Sequence, residues 1–306
     1  MRPLCFVPLI ALVAVVSFLG LRVPSGTAAP VPASLKDPVP GQERSFEIAE
    51  KVPMVFCWVP KGRATLGSPN KEGNRKADEP ERVYEEEVGF WLSKNETTQE
   101  QWEAVMGYNP SLFAKTGADK QYRKLAEGVD TTKYPVENVS WGMICGVKGV
   151  GGGDTFLGRL NDRPDIAKTF GARAKFALPH EDRWEYAARG GQGNANPFYW
   201  GKTLNGTEAN CDGRSPYGGA AKGNYVMRPQ PVGSYVEKEV LHPWGLCDIV
   251  GNVWEWCENE YSDGRRVLRG GSWRYGAEDC RVAHRWGENP SAQRVVIGFR
   301  VCVRLD

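Results

Sequence analysis

Gly251-Asn-Val-Trp-Glu-Trp-Cys257, followed by Arg266-Val-Leu-Arg-Gly-Gly-Ser-Trp273, is the stretch whose reading decides the fold. Three tryptophans and three glycines among so few residues are unlike an ordinary helix or strand. Gly270 and Gly271 would weaken a strand interior, so they predict a bulge or a close backbone approach. Together the two segments predict an irregular floor, packed with aromatic rings, beneath a site.

Composition agrees with such a floor. The 306 residues suit one large domain or two small ones. Hydrophobic residues make up 41%, enough for a sizeable core. The formal net charge is +2 and no basic run occurs, so nucleic acid is not an expected partner. Thirty-six glycines, 21 prolines and 11 tryptophans predict much loop and turn, pinned by large side chains.

Residues 1–28 read as a signal peptide. Arg2 gives a positive start, Phe6 to Leu21 an apolar run, and Gly26-Thr-Ala28 a small-residue cleavage point. The alternative is an uncleaved anchor, because the run approaches the length that spans a bilayer. Pro8 and the small residues favour cleavage, so no stable membrane span is expected afterwards. Cys5 lies inside the segment and follows no lipobox. The body of the chain is therefore expected outside the cytoplasm, periplasmic or secreted. Residues 29–45 read as a linker and 46–306 as the domain.

The domain carries Cys57, Cys145, Cys211, Cys247, Cys257, Cys280 and Cys302. An oxidising compartment would pair most of them, and seven leaves one over. No Cys-x-x-Cys or Cys-x-x-His spacing occurs, so structural zinc is not expected. Met54 to Val59 predicts a strand. Lys71 to Glu87 predicts a solvated loop leading to an edge strand. Asn95 to Gly107 predicts a helix with a Thr98–Gln101 capping box and a buried face of Trp102, Val105 and Met106. Glu181 to Arg189 predicts another, with Trp184, Ala187 and Ala188 inward. A third, weaker helix should end at Asn161. Gly146 to Asp154 reads as a flexible insertion, since it lacks the Gly-Lys-Ser/Thr ending of a phosphate loop.

Six motifs in order carry a resemblance. They are Glu96-Thr-Thr-Gln-Glu-Gln-Trp102, Tyr134-Pro-Val-Glu-Asn-Val-Ser-Trp141 and Leu178-Pro-His-Glu-Asp-Arg-Trp-Glu-Tyr-Ala-Ala-Arg-Gly-Gly191, then Gly251 to Trp256, Arg269-Gly-Gly-Ser-Trp273 and Ile297-Gly-Phe-Arg300. Over about residues 50–304 the chain resembles the formylglycine-generating enzyme family, also called the sulfatase-modifying-factor domain. The resemblance implies an α+β fold related to C-type lectins, with little regular secondary structure. It implies an oxidase that uses copper and oxygen to convert a sulfatase cysteine to formylglycine, with a protein or peptide substrate as partner.

In that family a Cys-x-x-x-x-Cys pair after Gly-Gly-Ser binds the copper, as soft thiolates suit a monovalent copper ion. Here Tyr275 falls where the first cysteine belongs and Cys280 where the second belongs, counting forward from Gly-Gly-Ser. Counting back from Ile297-Gly-Phe-Arg300, Cys280 matches neither. A second thiol would have to come from elsewhere, with Cys257 and Cys302 nearest in sequence. Cys280 therefore reads as structural before catalytic. Ser272 and Trp254 match positions near the family's active site, so a one-thiol remnant of that site is the other reading.

The resemblance also implies calcium. Asp248, Gly251, Val253 and Glu255 match one family site, and hard oxygen ligands of that mix suit the ion. The alternative is a pair of buried carboxylates satisfied by backbone N–H groups or arginines. A second site would fall on Asn210, the Cys211 carbonyl, Asn224 and the Val226 carbonyl, with no carboxylate.

Two functions compete. One is the oxidase. The other is a non-oxidising, lectin-like module whose ligand face comprises Arg274, Tyr275, Glu278, Trp286, Glu288 and Asn289. An iron-dependent sulfur-transfer relative is set aside, because only three histidines occur and no helical iron-binding domain is present.

Overall fold

The computed structural model describes residues 37–146, 154–235 and 241–305. The predicted signal peptide, residues 29–36 of the predicted linker and most of the glycine-rich insertion lie outside the described residues.

Alternation builds the first strand. In β1 (Glu43–Ala49) Phe46 and Ile48 are buried between exposed neighbours. It starts inside the stretch read as linker and pairs antiparallel with β2 (Val52–Val59), Phe46 opposite Met54. Then come β3 (Gly62–Leu66), β4 (Arg82–Glu86) and β5 (Phe90–Ser93), whose four residues are all buried. Later strands are short: β6 (Lys175–Ala177), β7 (Trp254–Glu260), β8 (Arg266–Arg269), β9 (Arg285–Glu288), β10 (Ile297–Gly298) and β11 (Cys302–Arg304).

They form a five-stranded sheet in the order β1-β2-β5-β11-β6, a four-stranded sheet in the order β10-β7-β8-β9, and the β3-β4 pair. The stretch that opened the sequence thus supplies the two central strands of the second sheet.

Among the described residues six α-helices connect them: α1 (Gln99–Met106), α2 (Lys120–Leu125), α3 (Trp141–Cys145), α4 (Phe156–Asn161), α5 (Ile166–Phe170) and α6 (Glu181–Ala188). The capping box of α1 is formed in both directions between Thr98 and Gln101, and Gly107 ends the helix in the left-handed region. Trp102 is fully buried and stacks on Phe156, with ring centroids 5.2 Å apart. Val105 and Met106 are only partly buried. Gln99 and Gln101 take the remaining inward positions, because their amides reach the carbonyls of Phe113 and Pro53. Trp184, Ala187 and Ala188 of α6 are buried as expected, and α4 ends at Asn161.

The charged segment after Lys71 is not solvated throughout. Glu79 and Glu86 are buried, Glu79 against Arg281 at 2.8 Å and Glu86 against Arg183 at 3.0 Å. Charge count alone hides this, since a paired carboxylate can be buried where an unpaired one cannot. Among the described residues, no helix is long and apolar enough to cross a membrane.

Candidate functional site

The charged letters of the motifs converge inside the protein. Glu255 of β7 takes two hydrogen bonds from Arg300, through Nε and Nη2 at 2.7 Å each. It also takes one from the indole of Trp184 at 2.6 Å. Arg269 of β8 pairs with Glu185 at 2.9 Å and Glu181 at 3.2 Å, and Arg189 closes on Glu185 at 2.8 Å. The two central strands therefore carry opposite charges to α6 and to the segment after β10. Burying such groups is tolerable only because each has a partner of opposite charge and further hydrogen bonds. Arg300 shows this by donating also to the carbonyls of Ser93 and Cys247.

Glu96 joins this network, although sequence reasoning gave it no role. Its carboxylate accepts from Asn252 Nδ2 at 2.6 Å and from the Val253 N–H at 3.0 Å. Burial, then the charges of Asp248 and Glu255, push it well above the usual carboxylate range. The available signal was its place at the head of a motif, just before a helix cap.

The chain makes a tight left-handed turn around Gly251. Asp248, Gly251 and Asn252 all have positive φ, at 52°, 82° and 58°. An added Cβ on Gly251 would lie 2.5 Å from the Asn210 carbonyl oxygen, so only glycine fits there. That carbonyl accepts the Asn252 N–H at 2.8 Å, and Asn210 Nδ2 donates to Asn252 Oδ1 at 3.0 Å. The two predicted calcium sets, far apart in sequence, are thus joined through Asn210 and Asn252.

The two sets fit an ion differently. In the first, both Glu255 oxygens are held by Arg300 and Trp184, which is the alternative the sequence left open. Asp248 is half-buried and takes a hydrogen bond from the Gly233 N–H. Burial raises its carboxyl to about 6, and the neighbouring Glu255 charge adds to this. Three carboxyl groups face the one Arg300 guanidinium, and burial together with that crowding holds Glu96 and Asp248 above their ordinary range. In the second set, Asn210 Oδ1 is buried with no hydrogen-bond partner among the described residues. An orphaned oxygen of this kind fits a hard cation. Asn224 is exposed and Val226 half-buried, and the Asn224 carbonyl accepts the Gly213 N–H at 2.9 Å. Among the described residues no three His, Cys, Asp or Glu side chains form a metal-holding group.

After β8 the chain turns at Gly270 and Gly271, where φ is 93° and 77°. A Cβ on Gly271 would come within 2.4 Å of Cys280 Sγ, which is the close approach the paired glycines predict. Ser272 and Cys280 are fully buried and Trp254 nearly so. The Cys280 thiol is held far above its ordinary range, first by a hydrogen bond with Cys211 and then by burial. Its neighbouring thiol is therefore Cys211, and neither Cys257 nor Cys302 as sequence proximity suggested. Tyr275 instead turns outward, its inner ring edge against Trp254 at 5.8 Å between centroids.

Tyr275 lines an open groove of about 600 Å³ with Arg274, Trp286, Glu288 and Arg294. Tyr275 is 38% exposed and Trp286 52%. Of the six residues expected on a ligand face, Glu278 and Asn289 do not line it. Glu278 is bonded to Asn74, and Asn289 shapes a turn by accepting from Ser291. A tighter cavity of about 170 Å³ lies beside Asp248, lined by Tyr199, Trp200, Tyr235 and His242. The groove presents no thiol, so the residues on it do not fit a copper ion.

The sulfatase-modifying factor enzyme 1-like domain model matches residues 43–305. The chain belongs to that family. Its members include an inactive C-alpha-formylglycine-generating enzyme 2 from Bos taurus, 36% identical over 133 residues, which cover 40% of this chain and 42% of that one. A formylglycine-generating enzyme from Streptomyces coelicolor is 31% identical over 197 residues, covering 56% of this chain and 54% of that one. The matches thus span about half the length of these curated relatives. The solved structure of PvdO from Pseudomonas aeruginosa has a TM-score of 0.63 at 21% identity, covering 87% of this chain and 99% of that one. It shows the fold of this sulfatase-modifying-factor domain, an α+β, C-type-lectin-like arrangement with short elements.

Proposed function

We propose that this protein is an exported, non-oxidising member of the family that binds a peptide segment in the groove of Tyr275 and Trp286. The observation that carries the reading is the outward-facing Tyr275. It stands where the resemblance places the first copper cysteine, while Cys280 faces inward. Two exposed aromatic rings beside Arg274 and Glu288 offer flat apolar contact with polar groups at the rim, the make-up of a peptide-binding surface. The similarity to a relative described as inactive agrees with this reading. Export rests on the predicted signal peptide alone.

Purified protein incubated with copper and a Cys-x-Pro-x-Arg peptide should yield no aldehyde by mass spectrometry. Aldehyde that disappears in Cys280→Ser would overturn the reading in favour of a formylglycine-generating oxidase.

Calcium is part of the same proposal, as a structural ion. Asp248 with the Gly251 and Val253 carbonyls, and Asn210 with its orphaned oxygen, are the groups that would hold it. The crowding of three buried carboxyl groups supports it, because a bound cation would favour their ionised forms. Excess calcium should raise the thermal midpoint of metal-stripped protein by several degrees relative to chelator. An unchanged midpoint would sink the calcium proposal.

A further inference from the structure

We infer that Cys211 and Cys280 are joined by a disulfide in the exported protein, tying the Asn210 loop to the segment after Gly-Gly-Ser. The inference rests on the export part of the reading above and deepens its claim about Cys280.

The backbone brings the two residues together. Asp212 and Gly276 form a parallel bridge, with the Asp212 N–H donating to the Tyr275 carbonyl at 2.9 Å. A few residues along, the Ala277 N–H donates to the Ser215 carbonyl at 3.0 Å. Cys211 stands just before this bridge. A single 3₁₀ turn, Ala277–Cys280, folds Cys280 back towards it. Both side chains are buried in one apolar cluster with Ala209, Ala277 and Val282. Their thiols are in hydrogen-bond contact. Gly271 closes the other side of the Cys280 sulfur, since any side chain there would collide with it.

The chemistry balances by thiol–disulfide exchange. Each thiol loses its proton, a sulfur–sulfur bond forms between Cys211 and Cys280, and two electrons pass to an oxidant. The oxidant is a small-molecule or protein disulfide, which is reduced to two thiols. Sulfurs sealed inside this cluster are out of reach of a disulfide oxidant, so the exchange belongs to folding, before the cluster closes. Once formed, the bond is shielded from reductants by the same burial. It also removes Cys280 as a soft-metal ligand, since only the thiolate binds copper. Cys211 keeps its backbone carbonyl free of this chemistry.

The test uses the full chain, exported and purified without reductant, alkylated in denaturant and digested with trypsin. The expected product is peptide 203–214 linked to peptide 275–281, two hydrogens lighter than the sum, and released by phosphine. Cys211→Ser should leave Cys280 alkylated and lower the thermal midpoint by roughly 5 °C, the usual scale for losing one cross-link in a domain of this size. Recovery of both peptides as separate alkylated thiols, or of Cys280 linked to another cysteine, would overturn the inference without requiring any variant to fold. So would a one-to-one copper(I) complex of the reductant-free protein that competes with a chromophoric chelator and is lost in Cys211→Ser. Aldehyde formation with the link intact would overturn the peptide-binding reading and leave the link standing. An absent link with no aldehyde would do the reverse.

Discussion

The segment from Gly270 to Cys280 has two sides of opposite construction. Inward lie Cys280, Ser272 and the charged network of Glu255, Arg300, Arg269 and Glu185, all buried and all partnered. Outward lie Arg274 and Tyr275 on an open groove with Trp286. The inner side is over-determined: removing any one charge strands another in a low-dielectric interior. The outer side is exposed and, beyond the edge of Tyr275 against Trp254, carries little packing, so its side chains can change chemistry with little disturbance of the scaffold. A shared fold and a divergent site are compatible for this reason.

The sharpest way to break this contrast is Arg300→Ala. It would leave Glu255 buried with only the Trp184 indole, and should cost about 3–5 kcal/mol in urea unfolding. A loss under about 1 kcal/mol would mean that the inner network is not what holds the two sheets. Pairing the change with Glu255→Gln should recover a large part of the loss, because no uncompensated charge then remains.

Glu137 sharpens the contrast through pH. It is fully buried, accepts the Phe113 N–H at 2.9 Å, and leaves Oε2 without a partner among the described residues. Burial raises its carboxyl to about 8. The folded state therefore keeps a proton that the unfolded chain releases near its ordinary value. Stability should fall as pH rises from about 4.5 to about 8, then level off. Glu137→Gln should flatten that slope, leaving the share set by Glu96 and Asp248, and gain on the order of 2 kcal/mol near pH 8. An unaltered slope would place the effect elsewhere.

The smallest expected stability effect is Trp286→Ala on the open side, within about 1 kcal/mol of the parent. The same change should weaken binding of a groove-bound peptide by about tenfold or more. A large loss of stability would make Trp286 part of the scaffold.

Much of this was legible in the sequence. The motifs located the α1 cap and the α6 core stripe, because period and capping chemistry are local, but the stretch read as an irregular floor forms both central strands of the second sheet. The left-handed turn at Gly251 and the approach at Gly271 were legible because glycine is the residue such backbone demands. Partner choice was not. Nothing local tells that Glu255 meets Arg300 or that Glu79 meets Arg281, since each pairing is set by strand order. The neighbour of Cys280 failed for the same reason. Distance along the chain pointed to Cys257 and Cys302, whereas the Asp212–Gly276 bridge brings Cys211. Of the ligand face, Tyr275 and Trp286 were recognisable as exposed aromatics, while Glu278 and Asn289 were absorbed by local hydrogen bonds.

The place of β11 has a consequence for how the molecule is made. Three residues near the C-terminal end of the chain, Cys302–Arg304, lie between β5 and β6 in the interior of the five-stranded sheet. A ribosome delivers them after everything they join. Until then β5 and β6 present unpaired edges, and the contacts that close the sheet span most of the domain. Such long-range closure is slow and leaves the nascent chain open to aggregation.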